Sequence, residues 1–173
     1  MLKNDVVRRE TPSAAVRLVQ LWDELHQKPG GRWLFSRIIS VAIPYTGTVR
    51  PRVKEVRAGY ARVELRERRR VRNHLRSIHA IALANVGEFT GGLAMTATAP
   101  PSVRSILLKL EVEFLKKARG IVTAECVCTV PIVNGPVDHV VRTVVRDAAG
   151  VEVARVAATW RLDLHSPQRK GER

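Results

Sequence analysis

Aromatic residues make up only 5% of this 173-residue chain. With so few rings and no recognisable nucleic-acid motif, no specific nucleic-acid partner is expected. Cysteine is scarcer still, Cys126 and Cys128 being the only two. They lie two apart in an apparent strand, point to one face, and are badly placed to pair with each other. Two buried free thiols suit a reducing compartment. Long apolar runs are missing, so no membrane span is expected. Met1 to Asp5 carry no secretory apolar segment, which points to a cytoplasmic protein. Acidic side chains are in deficit, 16 against 30 Lys and Arg, for a formal charge of +14. Such a field attracts polyanions, whether nucleic acid, an anionic membrane or a phosphorylated small molecule; the alternative is arginine spread over solvated faces. The 45% of hydrophobic residues is enough for one folded domain with a real core.

What is present concentrates between Arg72 and Phe89. A polar loop holding Asn73, His74 and His79 runs into an apolar segment rich in Ala and Gly, with Glu88 in its middle. A small-residue helix implies tight burial, and a lone carboxylate there is costly without a partner or a task. Glu88 is therefore the first candidate for a functional residue.

The pattern of apolar residues predicts an order αα-ββ-α-ββββ. Thr11 or Ser13 can cap a first helix that runs through Val16, Val19, Leu21, Trp22 and Leu25. Lys28 to Gly31 break it, and Trp33 to Val41 form a second. Pro44 to Gly47 read as a turn, followed by strands over 48–56 and through Ala61, Val63 and Leu65. The central helix is expected over 78–95, then strands over 105–116, 120–130, 138–147 and 151–164. Ile106, Leu108, Leu110, Val112 and Phe114 alternate with charged residues, as a half-buried strand does. Trp22, Trp33 and Trp160 are expected in the core or an interface.

His79 and Glu88 lie nine residues apart, which is about 13 Å along a helix axis and roughly 180° around it. One chain cannot bring both to one site. If both act in catalysis, Asn73 and His79 come from one chain and Glu88 from another, and a two-fold dimer makes two such sites.

Asn73, five residues, His79, and Glu88 nine positions on resemble the pattern of phenylacetyl-CoA-type acyl-CoA thioesterases. The segment Leu110–Gly120, with Phe114 before a turn, is similar to that family's strand after the helix. The resemblance covers about residues 45–163. The chain departs from it at His79-Ala80-Ile81, where the family has His-Gly-Gly, and at Arg76, where glycine is usual. Leu107 stands where some members carry Ser or Thr, with Ser105 only nearby. The N-terminal helices resemble those of a less characterised branch.

The resemblance implies an α+β hotdog fold: a curved antiparallel sheet around one central helix, with extra N-terminal helices. The organisation is then a tail over 1–10, a helical extension over 11–43, the hotdog domain over 44–164 and a basic tail over 165–173. The implied activity is acyl-CoA hydrolysis by a homodimer or dimer of dimers. No metal or separate cofactor is expected, coenzyme A being part of the substrate.

In that implied activity the expected roles are these: Glu88 acts as general base or as nucleophile through a mixed anhydride. The Ala80 amide at the helix N-terminus is the oxyanion donor. Asn73 holds the carbonyl or the water, and His79 orients the loop. Arg68, Arg69, Arg70 and Arg72, with His74, Lys116 and Lys117, hold the substrate and its phosphates.

Each residue also has a structural reading. Glu88 can be a structural carboxylate, Asn73 a turn cap, His79 a helix cap, His74 a surface residue, and the arginine run a solvated strand end. Two other functions compete. One is a non-catalytic acyl-CoA-binding module. The other is a 3-hydroxyacyl thioester dehydratase or hydratase, suggested by His74 fourteen residues before Glu88.

Overall fold

The computed structural model describes residues 14–164; both expected tails and the cap at Thr11 or Ser13 lie outside them. Two helices come first, α1 (Ala14–Leu25) and α2 (Gly31–Ala42). Trp22, Phe35 and Ile39 point inward and join the main core. Trp22 meets the Phe35 ring edge-on at 5.1 Å. Trp33 is outside the core, 67% exposed on the outer face of α2.

The segment read as a turn is a helix, α3 (Pro44–Val49), and the next strand starts only at Arg52. Pro44 is suited to a first helical turn, where its missing N–H has no acceptor to lose. At the far end the Arg68 guanidinium donates to the carbonyls of Thr48 and Val49 and places a cation at the helix C-terminus. That partner is distant in sequence, so Pro-Tyr-Thr-Gly read locally looks like a turn.

One six-stranded antiparallel sheet follows. It contains β1 (Arg52–Arg57), β2 (Tyr60–Arg66), β3 (Val103–Phe114), β4 (Ile121–Val127), β5 (Val137–Arg146) and β6 (Glu152–Leu164), in the order β1-β2-β4-β5-β6-β3. Ala61 sits opposite Cys126, Val63 opposite Ala124 and Leu65 opposite Val122, all buried. This is the alternation of a sheet covered on one face. The cover is α4 (Ala80–Thr96), which packs on β2, β4, β5 and β6. The helix starts two residues later than predicted because His79 is its N-cap, its Nδ1 accepting from the Ile81 N–H at 3.1 Å.

Gly87 and Gly91 let the sheet approach α4. A Cβ on Gly87 would come within 2.3 Å of Val156 Cγ2, and one on Gly91 within 3.1 Å of Thr143 Oγ1.

β3 forms the sheet edge, and its pairing with β6 shifts register between Leu107 and Lys109. The shift takes Ile106 off the face that Leu110, Val112 and Phe114 share, and the edge position leaves that face poorly covered. Ile106, Leu108, Leu110 and Phe114 are exposed, and only Val112 keeps a half-buried position. Cys126 is buried in β4, whereas Cys128 lies beyond the strand end and is half-buried; both are free.

The loop before α4 contains Arg76 with a φ of 55°. This is the position where the resembling family uses glycine, and the backbone gives the reason: the left-handed region costs a side-chain-bearing residue about 1–2 kcal/mol. Arg76→Gly is expected to raise stability by about 0.5–1 kcal/mol, after the entropy that glycine adds to the unfolded chain is deducted. Denaturant midpoints would check it, and a loss of stability would mean that the Arg76 side chain itself holds the loop.

Candidate active site

The loop from Arg72 to His79 uses its polar side chains to build itself. Asn73 Oδ1 accepts from the N–H of Leu75 at 2.9 Å and from the N–H and Oγ of Ser77, both at 3.1 Å. This is an Asx turn, the structural role open to Asn73. Glu67 fastens the loop from below by accepting from the Gly120 N–H and from Arg72 Nε, each at 2.6 Å. Those two bonds hold the Glu67 carboxyl below its ordinary pKa, the Gly120 amide contributing most. His79 is spent on the helix cap and is exposed, and His74 is exposed near the loop tip.

Beneath the loop lies a cavity of about 320 Å³, with Asn73, Ala80, Phe114, Lys116 and Lys117 in its wall. The Ala80 N–H opens α4 and has no acceptor among the described residues. A helix N-terminus concentrates positive potential at such an amide. Lys116 Nζ also reaches Asp147 at 3.3 Å.

Glu88 lines a different cavity of about 320 Å³, and no residue is common to the two. Eight residues of helix separate Ala80 from Glu88, about 12 Å. Glu88 is half-buried and has no hydrogen-bond or ion-pair partner among the described residues. Burial alone pushes its carboxyl above the ordinary range. Asn85, one turn earlier, donates to Thr46 Oγ1 at 3.2 Å, and its Oδ1 is buried without a donor.

Of the basic run, Arg68 is committed to α3 and Arg72 to Glu67. Burial, then the guanidiniums of Arg50, Arg70 and Arg52, push the pKa of Arg68 down. Arg69 and Arg70 are exposed on a single 3₁₀ turn and have no carboxylate partner among the described residues.

Two residues at the Glu88 cavity, Leu18 and Ile43, escape a sequence reading, while that reading includes Ser105 and Trp160 without giving them a place in the site. Ser105 carries a signal, as the only hydroxyl in β3. Leu18 and Ile43 carry none, because their contact with α4 exists only in the folded chain.

The profile of the domain of unknown function DUF4442 matches residues 31–162. The solved structural-genomics protein APC5556 is similar at 30% identity and a TM-score of 0.76, over 86% of this chain and 99% of that one. A Pseudomonas aeruginosa protein of unknown function, called a probable thioesterase, is 20% identical with a TM-score of 0.68, over 77% of this chain and 96% of that one. A Haemophilus influenzae thioesterase shares the fold at 12% identity and a TM-score of 0.68, over 84% of this chain and 99% of that one. No sequence match to a curated protein was found. The expected hotdog architecture is the one present, and the chain belongs to the DUF4442 family.

Proposed function

We propose that this protein hydrolyses acyl-CoA thioesters as a two-fold dimer, with Glu88 as the catalytic carboxylate. The observation that carries this reading is Glu88 itself: a carboxylate without a partner among the described residues, raised in pKa by burial, in an apolar cavity that Ser105 also lines. An ionised carboxylate in such a place is costly to maintain, and a task as general base accounts for it.

Glu88 takes a proton from water, with Ser105 helping to hold that water. The oxygen attacks the thioester carbonyl carbon, and negative charge builds on the carbonyl oxygen. The Ala80 amide of the partner subunit receives that oxyanion. Collapse expels the CoA thiolate, which takes up the proton, and the free acid leaves. Direct attack by Glu88 gives a mixed anhydride that a water then opens, with the same net products. Lys116, Lys117, Arg69 and Arg70 serve the CoA phosphates.

A second protomer is needed because Ala80 and Glu88 occupy separate cavities. The free edge of β3 offers the joint: it is 12 residues long, and Ile106 is 63% and Phe114 49% exposed. A long apolar edge is a template for pairing with another strand, and antiparallel pairing with its own copy closes a two-fold dimer. Ile106→Asp is expected to leave a folded monomer without hydrolysis. Light scattering coupled to gel filtration and a thiol-release assay would check both, and an active monomer would refute the two-chain site.

The neighbours called thioesterases support the chemistry at the level of the fold. Thiol release from short, medium, long and aryl acyl-CoAs tests it, and no release from any by a folded dimer would reject it. One observation favours the second reading, an acyl-CoA-binding module: Asn73 Oδ1 and His79 Nδ1 are both engaged in structure. Tight binding without turnover would decide for that module.

A further inference from the structure

Sheet and α4 alone do not close the cavity around Glu88. Its remaining wall is Leu18 from α1 together with Ala42 and Ile43, where α2 turns into α3. The N-terminal extension thus reaches the proposed reaction centre as well as the core. Among the described residues Glu88 is the only charged one in this wall. Across the cavity the Trp160 ring faces α4 at Gly92, where a Cβ would already sit 3.6 Å from Cζ2 of the indole. That distance is an ordinary contact, so a methyl is accommodated at residue 92 and a larger side chain crowds the ring and this end of the cavity. The indole edge that carries Cζ2 also carries Nε1, which is buried without an acceptor among the described residues.

Resting on the proposed hydrolysis at Glu88, we infer that this cavity receives the acyl group and that the N-terminal extension sets its length limit. The cavity of about 320 Å³ is about twice the ~150 Å³ cavity that holds benzene. An aryl ring or a chain of roughly six to eight carbons fills it. A long fatty chain exceeds this volume, so compact acyl and aryl groups are the ones this wall can enclose. One methylene too many in an apolar pocket costs roughly tenfold or more in kcat/KM, which makes Ile43, Leu18 and Gly92 gauge residues.

The test is a ladder of acyl-CoAs from acetyl to palmitoyl, with phenylacetyl-CoA, run on wild type, Ile43→Ala, Leu18→Ala and Gly92→Leu. Wild type is expected to peak at medium or aryl groups. Ile43→Ala and Leu18→Ala should move the optimum about two carbons longer and raise the long-to-short ratio roughly tenfold. Gly92→Leu should lower the ratio of medium-chain to acetyl-CoA turnover roughly 100-fold. If Gly92→Leu does not fold, the two truncations on separate segments carry the test. Hydrolysis that persists with an unchanged ladder in the truncations overturns this inference and leaves the thioesterase reading standing. If wild type releases no thiol, the hydrolysis reading falls, and calorimetric affinities for the same ladder decide the cavity. An affinity optimum that moves with the wall residues supports it, and affinities indifferent to chain length and variant reject it.

Discussion

Glu88→Gln is expected to lower kcat for acyl-CoA hydrolysis by about 10²–10⁴-fold, the usual contribution of a positioned base. The same change should leave the protein at least as stable near neutral pH. Burial raises the folded-state pKa of Glu88 above its unfolded value. The protonated group's contribution to stability is therefore complete below the unfolded pKa and is lost as pH rises through the raised folded value. Gln stays neutral throughout, so stability should cease to fall over that interval. Wild-type turnover should rise across the same interval as the base ionises. Denaturation midpoints and rates measured against pH, on both proteins, read the two effects together. A variant that keeps full turnover removes Glu88 from the chemistry. One that loses both turnover and stability makes it a structural carboxylate.

The second large effect concerns folding. Gly87→Ala is expected to destabilise by about 2 kcal/mol, because overpacking a core costs about 1–3 kcal/mol and outweighs the helix propensity gained. Val156 cannot retreat easily. Its Cγ2 and Cβ would lie 2.3 and 2.9 Å from the new methyl, it is 2% exposed, and its β-branched side chain is held by β6. The melting temperature should fall by about 4–8 °C. Pairing Gly87→Ala with Val156→Ala makes room, so the double variant should be more stable than the two single losses predict when added. Additive losses would show that the helix withdraws from the sheet instead.

The same helix shows what can be read before folding. Its small residues announced close packing, and one carboxylate among them stood out as Glu88. Strand alternation placed β2 and β4 correctly, since both faces of those strands meet consistent surroundings. β3 misled because a register shift lies inside it, and no single residue marks that shift. α3 misled because its C-terminal cap comes from Arg68, which lies in another element. At the site, Asn73 and His79 were recognisable as residue types, but their spacing could not show that each would be occupied by a backbone amide. The wall made by Leu18 and Ile43 was invisible because neither segment carries a polar signature.

The place of β3 in the sheet has a consequence for biosynthesis. Its only partner strand among the described residues is β6, which is completed roughly fifty residues later. At ~10 residues per second, a ribosome leaves this apolar strand unpaired along both edges for several seconds. Nascent chains cut before β6 would present twice the sticky edge of the finished protomer. Chaperone dependence in the cell should therefore track the speed at which the codons between β3 and the end of β6 are translated, more than the stability of the completed fold.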